Sequence, residues 1–196
     1  MRREIWSSDI DREGLGESKL DEALRSRILP LRMMILDVDG VLTDGRIVYH
    51  DDGSELKVFD VQDGHGIKLL QRAGIEVALI TGRSCRAVDQ RAAGLGIRRV
   101  YQGSIVKLEA YEKIRAETGL GDHEMGFMGD DLIDIPVMRR VGFAVSVPNA
   151  SPHVWPYAHY LTRLGGGRGA CREVCEMILQ VQGLWHQVTD RYFRDP

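Results

Sequence analysis

The stretch that decides the fold is MMILDVDGVLTDG, residues 33–45. Four apolar residues come first, as in a strand that is buried on both faces. The run ends on Asp37, and a second acid, Asp39, follows two positions later. Glycine and other turn-forming residues come directly afterwards. The sequence therefore predicts a buried strand whose carboxyl end presents two carboxylates.

Strand-like and helical segments alternate after this first strand. The further predicted strands are short apolar runs at residues 75–81, 98–103, 125–130 and 142–147. Between and after them, helices are predicted at residues 65–74, 84–96, 104–119, 131–142 and 170–183. Ser84 and Ser104 are expected as N-caps, and Gly74 and Gly119 as helix ends. This alternation predicts an α/β fold, a doubly wound parallel sheet with helices on both faces.

Residues 46–60 interrupt the alternation. Two short runs with alternating apolar residues flank Asp51-Asp52-Gly53, and Asp-Gly in such a setting is typical of a β-hairpin. A small hairpin insertion is therefore expected just after the first strand. The length of 196 residues fits one main domain, residues 31–183. An arm and helix at 1–30 are expected before it, and a tail at 184–196 after it.

Composition narrows the class of protein. A net charge of −3 offers no general attraction to nucleic acid or to an anionic membrane. No apolar run approaches the roughly 20 residues of a membrane span, and residues 1–20 lack the apolar core of a secretory signal peptide. Three cysteines without a CxxC pair fit a cytoplasmic protein. Cys171 and Cys175 lie one helical turn apart and are expected as buried side chains rather than metal ligands.

Polar residues recur where the predicted strands end. Since ligands of doubly wound sheets bind beyond the carboxyl ends of the strands, these side chains are expected to meet. Crowded acids repel each other, and Mg²⁺ relieves the repulsion in an all-oxygen site. A lysine and a hydroxyl beside it describe a phosphate site, where one acid attacks phosphorus and another transfers protons. The candidate residues are Asp37, Asp39, Thr81, Lys107, Asp130 and Asp131.

These segments resemble, in order, the four motifs of the haloacid dehalogenase superfamily of phosphatases: DVDGVLTDG, ITGR, a later lysine and GDD. The resemblance covers nearly all of residues 32–183. DGHGI at 63–67 and GGRGA at 166–170 are more similar to the capless branch acting on 3-deoxy-D-manno-octulosonate 8-phosphate in lipopolysaccharide biosynthesis. The resemblance implies a Mg²⁺-dependent phosphomonoesterase without a cap domain, an aspartyl-phosphate intermediate and a homotetramer.

The resemblance also implies roles for the acids. Asp37 would be the nucleophile and a Mg²⁺ ligand. Asp39 would be the general acid/base and would coordinate the metal through its backbone carbonyl. Asp130 would be the third protein ligand, and Asp131 would support Asp130 without contacting the metal itself.

Substrate contacts follow from the same resemblance. Thr81 and Lys107 would hold the phosphoryl group, and arginine and lysine suit a substrate that carries phosphate and carboxylate. Gln62 departs from the pattern, because a basic residue is expected there, and this bears on which sugar is used. The positions implied for the substrate are Asp39, Asp60, Val61, Gln62, Asp63, Gly64, Lys68, Gly82, Arg83, Arg91 and Lys107.

Other interpretations stay open at this point. A phosphatase of a sialic-type acid 9-phosphate would use the same motifs. A signalling receiver domain also combines clustered acids, a hydroxyl and a lysine, but it accepts phosphate on a later strand. The glycine run at 164–170 fits a connector or an anion cradle, and the resemblance places Arg168 near a neighbouring subunit's site. His65 is expected in a loop and has no assigned role.

Overall fold

The structure, a computed structural model, describes residues 22–194. Its strands are β1 Met33–Leu36, β2 Val48–Tyr49, β3 Glu55–Leu56, β4 Glu76–Ile80, β5 Arg99–Tyr101, β6 Met125–Met128, β7 Phe143–Ser146 and β8 Tyr160–Leu161. Six of them form one parallel sheet in the order β5-β4-β1-β6-β7-β8. The doubly wound parallel sheet predicted from the alternation is confirmed.

Helices follow most strands of the sheet. They are α1 Glu22–Ile28, α2 Val61–Arg72, α3 Arg86–Leu95, α4 Lys107–Thr118, α5 Ile135–Met138, α6 Ala170–Val181 and α7 Trp185–Thr189. Four short 3₁₀ turns lie at Asp122–Glu124, Leu132–Asp134, Trp155–Tyr157 and Asp190–Tyr192.

The core lies in two layers, one on each face of the sheet. Side chains of β1 alternate between them: Met34 and Leu36 belong to one apolar cluster, and Met33 and Ile35 to the other. Apolar residues of α1, α2, α3, α6 and α7 complete the first cluster. Those of α4 and α5 complete the second. Burial on both faces explains why β1 reads as a continuous apolar run.

The predicted hairpin is confirmed. β2 and β3 pair antiparallel, with Val48 opposite Leu56, and form a separate two-stranded sheet. The turn runs through Gly53, whose φ of +81° favours glycine. The edge strand β8 was not predicted, since a two-residue strand carries almost no periodic signal.

Two predicted helix starts are wrong. The N-cap of α3 is Cys85 rather than Ser84, because the Cys85 backbone N–H donates to Gln102 Oε1 at 2.7 Å. The N-cap of α4 is Val106 rather than Ser104, whose N–H donates instead to the Thr81 carbonyl at 2.9 Å. The predicted end of α4 at Gly119 is confirmed by its left-handed φ of 71°.

The chain ends pack on the main core where they are described. Ile28 of α1 and Val188 of α7 lie in the same apolar cluster. The division into arm, domain and tail stays a prediction, and residues 1–21 of the arm lie outside the described residues. Between residues 22 and 194, the longest apolar helices are too short to cross a membrane. Cys171 and Cys175 are buried as expected, with their sulfurs 3.9 Å apart.

Sheet order also locates the functional edge. After β5 the chain crosses to the opposite side of β1 and enters the sheet as β6. β1 and β6 are therefore neighbours at the topological switch point, where a crevice opens beyond the carboxyl ends of the strands. Asp37 follows β1 directly, and Asp130 follows β6 after one glycine.

Candidate active site

Asp37 lies where β1 leaves the sheet. Its backbone N–H donates to the Met128 carbonyl at 3.0 Å, so the ladder between β1 and β6 extends to this residue. The side chain is buried, with 5% of the residue exposed. One carboxylate oxygen, Oδ2, lies 2.9 Å from Lys107 Nζ. The other, Oδ1, is buried and accepts no hydrogen bond from the described residues.

Lys107 begins α4 and is 1% exposed. Its ammonium group is held between two carboxylates, at 2.9 Å from Asp37 Oδ2 and 2.5 Å from Asp134 Oδ1. A lysine is almost never fully buried unless it is paired, because removing the charge from water costs several kcal/mol. Burial lowers the pKa of Lys107, but the two acids outweigh it and raise the pKa above its usual value. Lys107 is therefore a fixed positive charge beside Asp37.

Asp134 ties this lysine to the third acid. It is 0% exposed, and its Oδ2 accepts from the backbone N–H groups of Asp130 at 2.9 Å and Asp131 at 3.0 Å. Carboxylate oxygens of Asp37, Asp130 and Asp134 lie within 4.8 Å of one another. A Cβ on Gly40 would fall 1.9 Å from Asp130 Oδ2, so only glycine allows this approach. We call Asp37, Asp130 and Asp134 the acid cluster.

Electrostatics of the acid cluster follow from crowding. Burial, then the charge of Asp134, raises the pKa of Asp37 to about 7, although Lys107 opposes the shift. Burial, then the charges of Asp37 and Asp134, raises the pKa of Asp130 to about 8. Acids that share a small volume cannot all be charged without a compensating cation.

The donor set fits Mg²⁺. Within the acid cluster, Asp37 Oδ1 is a buried carboxylate oxygen without a hydrogen-bond donor among the described residues. Such atoms are costly to bury unless a cation or a ligand satisfies them. An all-oxygen site with one or two carboxylates and several waters suits Mg²⁺, and Asp37 and Asp130 supply two. The predicted ligands Asp37 and Asp130 are brought together, and Asp134 joins them.

Asp39 faces the inserted hairpin. Its Oδ1 accepts a very short hydrogen bond from Lys57, a residue just after β3. Lys57 Nζ also lies 2.8 Å from Glu55 Oε1, and Glu55 Oε2 accepts from Arg83 at 2.8 Å. Arg83 donates as well to the Tyr49 hydroxyl at 3.2 Å. The predicted acid/base and the predicted substrate arginine are thus joined through the hairpin.

Thr81 and Gly82 lie at the end of β4, the other neighbour of β1. Thr81 is buried, and its predicted role in holding the phosphoryl group stays a prediction. A Cβ on Gly82 would contact Ile105 at 3.6 Å and Ile133 at 3.4 Å. Both isoleucines are exposed, so they form an apolar rim beside Gly82.

The residues predicted for the sugar acid on α2 are held by internal contacts. Asp60 is the N-cap of α2 and accepts from Gln62 N–H at 2.6 Å. Asp63 is buried and accepts from Arg172 N–H at 2.8 Å and Gly169 N–H at 3.4 Å, at the start of α6. Arg91 donates to the Asp60 carbonyl at 2.6 Å. We call residues 60–64, together with Arg91 of the neighbouring helix α3, the α2 segment.

Four more of those residues range from exposed to buried. Val61 and Gln62 are exposed at the start of α2, Val61 at 79%, and Lys68 is half-buried nearly two turns later. Gly64 is buried where a Cβ would meet Arg91 Nη2 at 2.3 Å. His65 lies in α2 rather than in a loop, so that prediction is wrong. Sugar binding by these positions stays a prediction.

The glycine run packs against the loop that follows Asp39. A Cβ on Gly166 would fall 1.8 Å from the Gly40 carbonyl oxygen, and Gly167 N–H donates to the Val41 carbonyl at 2.9 Å. Asn149 bridges both segments, donating to the Gly40 carbonyl at 2.9 Å and accepting from Gly166 N–H at 2.7 Å. Close backbone packing therefore explains the run better than a flexible connector does. Arg168 is exposed, 3.9 Å from Asp44.

Sequence reasoning missed two buried charged residues, Asp134 and Lys57. Asp134 could have been found, since it follows Asp130 by four residues and one turn brings both to the same side. Lys57 gave no comparable signal, because lysines in hairpins are ordinarily exposed. Asp131, predicted to support Asp130, is exposed and accepts from Leu132 N–H at 2.7 Å. That supporting role stays a prediction, while Asp134 occupies the buried position beside Asp130.

Comparison with known proteins agrees with this geometry. The family model of haloacid dehalogenase-like hydrolases matches residues 94–165. The 3-deoxy-D-manno-octulosonate 8-phosphate phosphatase KdsC of Escherichia coli (strain K12) is 48% identical over 153 residues, 78% of this chain and 81% of the relative. The enzyme of the same name from Yersinia pestis is 48% identical over 156 residues, 80% and 83% of the two chains.

Solved structures are similar as well. The Yersinia pestis phosphatase has a TM-score of 0.83 and 45% identity, covering 84% of this chain and 89% of its own. The Moraxella catarrhalis phosphatase, solved with magnesium, phosphate and KDO, has a TM-score of 0.85 and 39% identity, covering 88% and 99%. These relatives are enzymes, which decides against a receiver domain. The chain belongs to the haloacid dehalogenase-like hydrolases and, within them, to the family of the 3-deoxy-D-manno-octulosonate 8-phosphate phosphatases.

Proposed function

We propose that the chain is a Mg²⁺-dependent phosphomonoesterase that hydrolyses 3-deoxy-D-manno-octulosonate 8-phosphate to the free sugar acid and phosphate. The Asp37 carboxylate carries the proposal. It is buried at the switch point, Oδ2 is fixed by Lys107, and Oδ1 accepts no hydrogen bond from the described residues. A carboxylate held in this way beside a fixed cation is suited to attack an electrophilic phosphorus.

In the first step, a carboxylate oxygen of Asp37 bonds to phosphorus and the ester P–O bond breaks. The leaving alkoxide of the sugar takes a proton from the Asp39 carboxyl group, and the products are an aspartyl-phosphate and the sugar acid. General acid catalysis of this kind contributes about 10²- to 10⁴-fold to a rate. In the second step, Asp39 accepts a proton from water, which attacks phosphorus and releases phosphate from Asp37.

Charge on the phosphoryl group has to be stabilised while it is transferred. Lys107 lies next to Asp37 and supplies a fixed positive charge, and Thr81 supplies a hydroxyl at the end of the adjacent strand. Mg²⁺, when held by Asp37, the Asp39 carbonyl and Asp130, would neutralise further negative charge there. Asp134 keeps Lys107 and the Asp130 backbone in place.

The substrate assignment rests on the relatives and on the charges near the site. Each relative named above is a phosphatase of 3-deoxy-D-manno-octulosonate 8-phosphate. Phosphate release from this substrate and from a sialic-type acid 9-phosphate should be compared, with Mg²⁺ and with a chelator. We expect kcat/KM to be at least about 10-fold higher on the eight-carbon substrate, and the chelator to abolish turnover. Equal or higher kcat/KM on the nine-carbon substrate would contradict the assignment.

We also propose a homotetramer, a cytoplasmic location and a role in lipopolysaccharide biosynthesis, as the family resemblance implies. Exposed apolar side chains of the hairpin region support association: Val48, Tyr49, Leu56 and Val58. Light scattering after size-exclusion chromatography should give four times the chain mass, and a monomer would contradict it. The location is tested by fractionation of the native cells. Recovery of the protein in the membrane or outside the cytoplasm would contradict a cytoplasmic location.

A further inference from the structure

Lys57 is a buried lysine outside the motifs that identify the family. Only 2% of its side chain is exposed, although Lys57 directly follows β3, a two-residue strand of the small hairpin. Its ammonium contacts Asp39 Oδ1 and lies 2.8 Å from Glu55 Oε1. Holding a lysine in this position costs desolvation free energy, so two carboxylates are needed to compensate it.

The contacts of Lys57 differ between the two oxygens of Asp39. Oδ1 accepts from the ammonium, whereas Oδ2 is buried and accepts no hydrogen bond from the described residues. An ammonium group has donors only, so Oδ1 cannot carry the proton that Asp39 transfers while this contact is made. A proton on Asp39 is therefore confined to Oδ2.

Glu55 fixes the lysine in turn. Its second oxygen accepts from Arg83 at 2.8 Å, and Arg83 also donates to the Tyr49 hydroxyl at 3.2 Å. Hydrogen bonds from ionised donors to ionised acceptors are the strong ones, and several together restrict rotation of each side chain. The hairpin thereby gives Lys57 a second carboxylate contact, Glu55, which is itself bound by Arg83.

We propose that Lys57 is a positioning residue for Asp39. It binds Oδ1 and so directs Oδ2, with its proton, towards the leaving oxygen of the substrate. The inference rests on the proposed function, in which Asp39 protonates the sugar alkoxide. It predicts that loss of Lys57 matters when the leaving group needs a proton and hardly matters when it does not.

The test compares two leaving groups. The alkoxide of the sugar phosphate needs protonation, whereas p-nitrophenyl phosphate releases a phenolate that leaves without a proton. For Lys57→Met, we expect kcat/KM on the sugar phosphate to fall by about 10- to 100-fold, and on p-nitrophenyl phosphate by less than about 3-fold. KM for the sugar phosphate should stay within about 2-fold, because Lys57 acts through the proton donor rather than through substrate binding.

Matched variants make the outcome decisive. Lys113→Met removes an exposed lysine from α4 and should leave both activities unchanged. Lys57→Arg restores a positive charge and should recover part of the loss on the sugar phosphate. Glu55→Gln keeps Lys57 paired with Asp39 and should show the same substrate bias, reduced to about 3-fold. Glu55→Gln also serves if Lys57→Met does not fold.

Asp39→Ala separates this inference from the proposed function. Because kcat/KM reports the step in which the leaving group departs, an equal loss of kcat/KM on both substrates in Asp39→Ala would show that general acid catalysis by Asp39 is wrong, and the inference would fail with it. If Asp39→Ala is biased towards the sugar phosphate but Lys57→Met and Glu55→Gln are not, only the inference is overturned. A rise in KM without a fall in kcat for Lys57→Met would likewise overturn it, since that pattern indicates substrate binding.

Discussion

The acid cluster and the α2 segment both contain buried carboxylates. They differ in whether donors within the protein bind the buried carboxylate oxygens. Asp37 is buried with one oxygen lacking a donor, and Asp39 likewise has a buried oxygen without one among the described residues. Asp63 is equally buried, yet two backbone N–H groups of the α6 N-terminus bind its carboxylate. Arg91, the nearest cation, donates to the Asp60 carbonyl.

This difference separates residues that hold the fold from residues that await a ligand. At Asp63, two backbone N–H groups compensate part of the burial, which still raises the pKa of this carboxyl group to about 6. Burial in the acid cluster is compensated only in part by Lys107, and the remaining charge has to be balanced by something that binds. Motif position alone does not make this distinction, because both regions match the same family pattern.

The largest expected effect is on catalysis by Asp37→Asn. The amide keeps the shape but cannot form an acyl phosphate, so kcat should fall by about 10⁴-fold or more. The melting temperature of the metal-free variant should not fall, since the change removes one of several crowded buried acids. Phosphate release and thermal unfolding measure the two effects, and measurable turnover at a tenth of the normal rate would contradict the role of Asp37.

Gly166→Ala should affect both regions, because the glycine run lies between them. The new Cβ would collide with the carbonyl of Gly40, a residue whose α-carbon packs against Asp130, while Gly169 of the same run contacts Asp63. We expect a loss of about 3 kcal/mol in the free energy of unfolding and a fall in kcat. The matched control is Gly94→Ala on the exposed face of α3, where no atom lies within 4 Å. Gly94→Ala should raise the free energy of unfolding by about 0.5–1 kcal/mol and leave kcat unchanged.

For Asp63→Ala we expect the opposite of the Asp37→Asn result, a loss of stability with kcat nearly unchanged. Two backbone N–H groups at the start of α6 would lose their acceptor, at a cost of about 1–3 kcal/mol in denaturant unfolding. The kcat of the folded fraction should stay within about 3-fold of the normal value, since Asp63 faces α6 rather than the acid cluster. A stable variant with a greatly raised KM would show instead that the α2 segment binds the sugar acid.

The smallest effect concerns pH and metal. Burial and crowding raise the pKa of Asp37 to about 7 and that of Asp130 to about 8, above the ordinary value of 3.8 for an aspartate. Between about pH 4 and 8 the folded, metal-free chain therefore binds more protons than the unfolded chain, and its free energy of unfolding falls as pH rises. Mg²⁺ should raise the melting temperature more at pH 8 than at pH 6. An equal shift at both values, or none, would contradict the metal site.

Much of the architecture could be predicted from local signals. The strands could be read because apolar runs buried on both faces are distinctive, and Thr81, Lys107 and Asp130 follow once strand ends are assumed to converge. Ser84 and Ser104 show the limit of such reasoning, since those helices begin where backbone N–H groups donate to Gln102 and to Thr81 instead. A capping preference is weaker than a contact from a distant segment.

The candidate site was harder to predict in its supporting residues. Lys57 pairs with Asp39 across the hairpin, a contact that depends on how a separate sheet packs, and spacing carries no information about it. The α2 segment matched the family pattern, but only the structure shows Asp63 and Arg91 bonded to α6 and Asp60. Satisfaction of buried polar atoms is a property of three-dimensional packing rather than of sequence.

Covalent attack by Asp37 is tested most directly by trapping its product. The enzyme should be mixed with the sugar phosphate and Mg²⁺, quenched in acid within the first turnover and digested for mass spectrometry. We expect one phosphorylated peptide, with the added group on Asp37, and no phosphorylated peptide in Asp37→Asn. Turnover without any phosphorylated peptide, or with the group on another residue, would contradict it.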